Sequence, residues 1–366
     1  MPGAPALRRN ALTDRSTDEI SFRTAGHGAF AMFTRPKALN ALTLGMIRAY
    51  APTLAAWAKD PNVRHVVQWG EGGKAFCAGG DVRAVCEAGL SAKRGGKADP
   101  LVRDFFFEEY RLNRQLARFP KPIVSLVDGI CMGGGVGLSV HGRYRVATER
   151  SLFAMPESAI GLFPDVGGTF FLPRLPGRVG VFLGLTGERL KAADMLHLGL
   201  ATHYVESAKL PELIAALESE SAEAALSRFA ADPGPAPIAH LQKQIDRCFA
   251  AGTVEGILSA LDAEASEWAG KIAGRLRKMS PTSLKVSLAQ LERGGALSIE
   301  DALRLEFRLV RRFMAGDDFY EGIRAVLIDK DNAPRWNPAT LAEVNAAAVD
   351  RHFAPLADGD ELTFVD

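Results

Sequence analysis

Two carboxylates, Glu157 and Asp165, stand eight residues apart in the segment FAMPESAIGLFPDVGG, Phe153 to Gly168, among apolar side chains and close to glycine and proline. An unpaired charge is costly to bury in such surroundings, so the pair points to a functional role. A partly desolvated carboxyl has its pKa raised toward neutrality, which suits it to proton transfer or nucleophilic attack. Two glycine clusters precede the pair, FCAGGD at Phe76 to Asp81 and CMGGGVGLSVHG at Cys131 to Gly142. Glycine at a strand-to-helix junction lets a ligand approach the backbone and leaves the first helical N–H groups free to donate. If the two junctions converge, two N–H donors hold one oxygen that becomes negative during reaction. Taken alone, each cluster reads first as a plain turn or packing feature.

Spacing argues against other chemistries. GEGGKA at Gly70 to Ala75 lacks the four-residue gap and the Ser or Thr of a phosphate-binding P-loop, and neither glycine cluster completes G-x-G-x-x-G. No G-x-S-x-G surrounds Ser125, Ser139 or Ser158. Cys77, Cys86, Cys131 and Cys248 show no paired spacing, which argues against zinc and against a disulfide framework. Cys77 reads as a small core residue rather than a nucleophile, and His141 as structural. With 44 basic and 43 acidic residues the net charge is +1, so no global field recruits nucleic acid or an anionic membrane. The apolar runs are too short for a membrane span.

The elements that must carry these groups alternate between strand and helix. ISFRTAG and GAFAMFT flank Gly26-His27-Gly28 as a hairpin, and RHVVQW reads as a short strand. Between them Leu44, Ile47, Leu54 and Trp57 fall at helical spacing over Thr43 to Ala58, stopped by Asp60-Pro61. KPIVSLVDG reads as a buried strand, GGGVGLSVHG as a helix entry, and RYRVAT and SLFAM as two further strands. This predicts an α/β core of repeated strand-strand-helix turns. After about Val205 the pattern is helical, with a proline-rich break at Asp232 to His240. Leu303, Phe307, Val310 and Met314 form one apolar stripe that reads as core.

The segments GGKAFCAGGDVRAV, DGICMGGGVGLSVHG, AMPESAIGLFPDVGGTFFLPRLPG, MSPTSLKVSL and DFYEGIRAVLIDKDNAPRW resemble the crotonase (enoyl-CoA hydratase/isomerase) superfamily, from about Ile20 to the C-terminus. The resemblance implies a crotonase-like spiral of strand-strand-helix turns with a C-terminal helical region, and a coenzyme A thioester whose carbonyl oxygen is held by the N–H groups of Gly80 and Gly134. In hydratases of the superfamily a glutamate lies three residues after the second of these glycines, and here that position is Gly137. The second hydratase glutamate is kept as Glu157. Asp165, and Glu109 in FEEYRLN, match a hydrolase subgroup. Read from the residues alone, Glu109 follows Glu108 on an amphipathic helix, where a solvated face or a salt bridge is the default.

The expected reaction is hydrolysis of a β-hydroxyacyl-CoA thioester, 3-hydroxyisobutyryl-CoA from valine breakdown. Glu157 either activates water or attacks the thioester to form a transient anhydride. Gly80 and Gly134 stabilise the oxyanion, while Asp165 and Glu109 orient the substrate hydroxyl and the water. An isomerase or hydratase on the same fold, and a non-catalytic acyl-CoA or RNA binder, are the rival readings. No metal or redox cofactor is required, coenzyme A being part of the substrate. Arg35 and Lys37 in TRPKALNAL are candidates for its phosphates. The organisation expected is a frayed tail over 1–18, a core with the acyl-CoA site over 19–206, and a helical region over 207–366 that covers the site and makes homo-oligomer contacts. The cytoplasm, or the mitochondrial matrix for a eukaryotic source, is the expected compartment.

Overall fold

β1 (Ile20–Ala25) and β2 (Gly28–Phe33) form an antiparallel hairpin around the two-residue loop Gly26-His27, with Gly26 at φ +55°. Tight hairpin loops require a positive φ there, which glycine adopts without strain. The computed structural model describes residues 16–97, 99–357 and 359–364. Most of the expected tail, residues 1–15, lies outside these; Ser16 and Thr17 already accept backbone N–H groups of Phe22 and Ile20.

α1 (Leu44–Lys59) starts where Thr43 accepts the Met46 N–H and stops at Asp60, as the spacing predicts. Pro52 sits inside it, which the apolar pattern did not reveal. Ile47, Tyr50, Leu54 and Trp57 are buried on the face that packs under the sheet with Phe33 and Val66. Full burial of one aliphatic or phenylalanine side chain is worth roughly 1.5–3 kcal/mol.

From β3 (His65–Gly70) onward the strands alternate between two sheets. β4 (Ala75–Cys77), α2 (Val82–Lys93) and α3 (Leu101–Ala117) lead to β5 (Ile123–Val127). β6 (Ile130–Met132) and α4 (Gly134–Ser139) lead to β7 (Tyr144–Ala147), then β8 (Leu152–Ala154) and, after several short helices, β9 (His203–Tyr204). The larger sheet has the order β1-β2-β3-β5-β7-β9, the smaller β4-β6-β8, and every pair beyond the first hairpin is parallel. Each excursion from one sheet to the other and back through a helix is one strand-strand-helix turn of the expected spiral.

Both faces of the larger sheet are covered. Phe30, Val67, Val124 and Val146 pack against Leu213, Leu217 and Leu226, which belong to or border the helices Leu210–Ala216 and Ala222–Phe229. Burial on both sides is why IVSLV reads as an almost unbroken apolar run. Beyond β9 the described chain is helical. In the helix Ile299–Ala315 the stripe Leu303, Phe307, Val310 and Met314 is buried as expected. This helix and Pro281–Gly294 pack behind the short helix Gly168–Phe171. Among the described residues no helix is long and apolar enough to cross a membrane.

Candidate active site

The smaller sheet brings the two glycine clusters together. Because β4, β6 and β8 run parallel side by side, with Cys77 opposite Cys131 and Met132 opposite Ala154, their C-terminal ends emerge at one edge. Gly80, Gly134 and Glu157 each lie two or three residues beyond such an end. Sites outside the carboxyl ends of parallel strands are common because the loops there converge. At both glycine junctions the residue before the expected donor has a positive φ, Gly79 at +119° and Gly133 at +47°. Gly134 is the first residue of α4, where an N–H has no intrahelical acceptor. A Cβ placed on Gly134 would stand 3.0 Å from the Gly80 nitrogen and 2.6 Å from Glu109 Oε1. The two amides and Glu109 therefore share one space. Gly135 serves packing, since a Cβ there would lie 2.0 Å from the Cys77 carbonyl oxygen.

That space is a cavity of about 80 Å³ lined by Gly79, Gly80, Gly133, Gly134, Glu109, Glu157 and Asp165, with Phe105, Phe106 and Leu162 as its apolar part. Glu109, Glu157 and Asp165 are 2%, 4% and 5% exposed. Burial pushes Glu157 well above the ordinary carboxylate range, and the charge of Asp165 adds to this. Glu109 is raised likewise, by burial first and then by Asp165 and Glu306. Asp165 is pushed up to about 7 by burial, partly offset by the Tyr110 hydroxyl, which donates to its Oδ2 at 2.8 Å. Glu109 Oε1 and Glu157 Oε2 are buried with no hydrogen-bond partner among the described residues. Buried polar atoms are rarely left so, and an unpartnered oxygen facing a cavity is available to a ligand.

Glu109 corrects the reading of its helix. Glu108 is the solvated one, paired with Arg48, whereas Glu109, one step around α3, points inward. Arg35, a candidate for phosphate, is occupied by Glu19, Asp81 and the Ala41 carbonyl; only Lys37 of that pair is exposed. Asp81 caps α2 by accepting the Ala84 N–H. Burial raises the Cys77 thiol to about 12, which leaves it inert as a nucleophile. His141 is held near 4 by burial, and its Nε2 donates to the Val166 carbonyl. At Gly137 a Cβ would meet Val166 Cβ at 2.6 Å and Asn113 Nδ2 at 2.8 Å, so that position is filled by neighbours as well as lacking an acid. No cluster of His, Cys, Asp or Glu among the described residues has the geometry to hold a metal ion.

Three contributors went unread in the sequence. Tyr110 follows Glu109 and holds Asp165. Glu306, wholly buried, accepts the N–H groups of Gly167 and Thr169, both at 2.8 Å, and burial pushes it up to about 8 against those bonds. Gln290 donates to the Pro164 carbonyl and to Thr169 Oγ1. They converge on a turn in which Val166 has φ +51° and Gly167 +92°. A left-handed β-branched residue costs about 1–3 kcal/mol and persists only where its surroundings enforce it. An available signal for Glu306 was its place three residues after Leu303 and next to Phe307, an acid set into an apolar stripe.

Known proteins resemble this chain in sequence and in fold. The family model described as enoyl-CoA hydratase/isomerase matches residues 29–353. The chain is 48% identical to the mitochondrial 3-hydroxyisobutyryl-CoA hydrolase of Xenopus tropicalis, over 93% of this chain and 90% of that one. It is 47% identical to the protein of the same name in Homo sapiens, over 97% and 93%. Among solved structures, a carnitinyl-CoA dehydratase from Mycobacterium thermoresistibile superposes with a TM-score of 0.89 at 42% identity, covering 95% of this chain and 99% of its own. An enoyl-CoA hydratase from Rhodobacter sphaeroides gives 0.87 at 41%, covering 94% and 100%.

Proposed function

The chain belongs to the enoyl-CoA hydratase/isomerase family, and on that premise we propose that the cavity between Gly80, Gly134 and Glu157 is where it cleaves a thioester. The reaction is hydrolysis of 3-hydroxyisobutyryl-CoA to 3-hydroxyisobutyrate and coenzyme A, a step of valine catabolism. The observation that carries the assignment of the site is the meeting, in one small buried space, of two backbone donors and carboxyl oxygens that have no other partner.

The thioester carbonyl oxygen lies between the Gly80 and Gly134 N–H groups, which stabilise the negative charge it acquires when attacked. Glu157 takes a proton from the attacking water. When the tetrahedral adduct collapses, the carbon–sulfur bond breaks and the thiolate receives that proton, so water and thioester yield acid and thiol. If Glu157 attacks directly, the same carboxyl forms an anhydride that water then opens. Single turnover in ¹⁸O-water labels Glu157 only by this second route. Asp165 and Glu109 accept hydrogen bonds from the substrate's β-hydroxyl and from the water. The balance closes without a redox group or a metal.

The solved neighbours are named for adding or removing water at a double bond. Gly137 offers no acid for that chemistry, but Glu109 supplies a second carboxyl to the cavity from α3. Thiol release separates the two. The enzyme should free coenzyme A from 3-hydroxyisobutyryl-CoA and leave the enone absorbance of crotonyl-CoA unchanged; loss of that absorbance at a rate comparable with thiol release would refute the hydrolase reading. Isobutyryl-CoA, without the hydroxyl, should be cleaved up to about 10⁴-fold less efficiently, the penalty where a dry site leaves polar groups unpaired. The relatives' names place them in mitochondria, the compartment expected for a eukaryotic source. Self-association is part of the proposal, and sedimentation tests it.

A further inference from the structure

The segment Asp165 to Thr169 is the place where the helical layer reaches the cavity. Its two left-handed residues, Val166 and Gly167, directly follow Asp165. Their conformation shapes the turn against which Asp165 is anchored. His141 and Gln290 hold the carbonyls of Val166 and Pro164. Among the described residues Glu306 alone accepts from these amides with its side chain, Oε2 from Gly167 and Oε1 from Thr169, and so spans the turn with one rigid carboxyl plane. It is fully buried, and no ion pair joins it to a lysine or arginine among the described residues. A buried carboxyl with no cation beside it is a poor choice for stability alone, since an apolar residue would pack there at less cost. Two hydrogen bonds, from the Gly167 and Thr169 amides on either side of Gly168, give it a geometric task instead.

We propose that Glu306 is a positioning residue for the hydrolysis: it holds the left-handed turn after Asp165 and thereby aims the Asp165 carboxyl at the substrate's β-hydroxyl. The inference rests on the hydroxyl-reading role proposed above for Asp165. Glu306→Gln keeps the shape but places an NH₂ group against one of the two amide donors, so one bond becomes a repulsion and the turn relaxes. A displacement of about 1 Å in a positioning group costs up to roughly a hundredfold in rate.

The test compares kcat/KM for 3-hydroxyisobutyryl-CoA and isobutyryl-CoA in wild type, Glu306→Gln and Glu306→Asp. Wild type should prefer the hydroxylated thioester strongly. In folded Glu306→Gln that preference should fall about ten- to a hundredfold, through slower cleavage of the hydroxylated substrate with little change for the plain one. Glu306→Asp, which keeps the carboxyl but shortens its reach, should fall between. A general loss of stability would lower both substrates together and leave the ratio intact. Equal cleavage by wild type would remove the Asp165 reading and this inference with it. A strong wild-type preference that survives in folded Glu306→Gln would remove this inference only. Hydrogen exchange in the wild-type protein supplies a check that needs no variant: the Gly167 and Thr169 amides should be far slower than that of Gly95, which lies in an open turn, and equal rates would overturn the proposal.

Discussion

Glu109 and Glu157, at the front of the cavity, each keep one buried oxygen without a partner, whereas Glu306, in the helical layer behind, has both oxygens taken by backbone amides. Burial raises all three. The difference lies in what answers the burial penalty. Behind the wall, hydrogen bonds from a strained turn answer part of it, and the carboxyl becomes part of the scaffold. At the front one oxygen of each glutamate is left unanswered among the described residues, so that part of the penalty stands until a substrate or water arrives. Asp165 lies between the two cases, held on one oxygen by Tyr110.

The contrast can be broken most severely at its front. Glu157→Gln should fold normally, bind acyl-CoA with little change in affinity, and lose about 10²–10⁴-fold in kcat, the usual worth of a positioned acid–base group. Thiol release and calorimetric titration measure the two quantities separately, and near-normal turnover would take Glu157 out of the mechanism. Gly134→Val strikes the donor pair. Its side chain would press on Glu109 and on the Gly80 nitrogen, and loss of one oxyanion donor should cost about 10²–10³-fold. Unchanged kcat in a folded Gly134→Val protein would reduce the triple glycine to packing.

The neighbouring glycines sharpen the comparison, because they should harm folding rather than catalysis. Gly137→Ala drives a methyl group into Val166 and Asn113, and overpacking of this kind typically costs about 1–3 kcal/mol. The denaturation midpoint should drop accordingly, and a midpoint equal to wild type would show that the contact yields freely.

A further effect is a slope of stability against pH. Burial raises Asp165 from an ordinary 3.8 to about 7, and Glu306 from 4.5 to about 8. The folded state therefore retains protons that the unfolded chain has released. Their contribution to stability is full below the unfolded values and is lost as pH rises toward about 7 and 8. Each bound proton adds roughly 1.4 kcal/mol per pH unit to the fall. Asp165 faces Tyr110, Glu109, Glu157 and Glu306, so its neighbours also contribute. Asp165→Asn should flatten the decline in unfolding free energy between about pH 4 and 7; an unaltered slope would assign the titration to the other carboxyls.

Local pattern was enough for much of this. The hairpin at Gly26, the span of α1, the strand-strand-helix turns and the two glycine junctions at strand ends were legible because each depends on residues within one short unit, and three such units repeat as parallel neighbours. Glycine at a strand end and an acid among apolar residues state their physical demands without reference to the rest of the chain. Other features depend on partners far away in sequence. Glu108 and Glu109 are indistinguishable until α3 docks, when one step of about 100° sends the first to Arg48 and the second into the cavity. Arg35 reads as a free cation until Glu19 and Asp81 close on it. Glu306 lies 139 residues from the Gly167 amide it accepts, hidden in a stripe whose period says only that this face is buried. Periodicity reports that a side chain goes inside. Which buried carboxyl is bonded and which is left open to a substrate is decided by the packing of helices onto strands, since the hydrogen bonds that settle it form only across that contact.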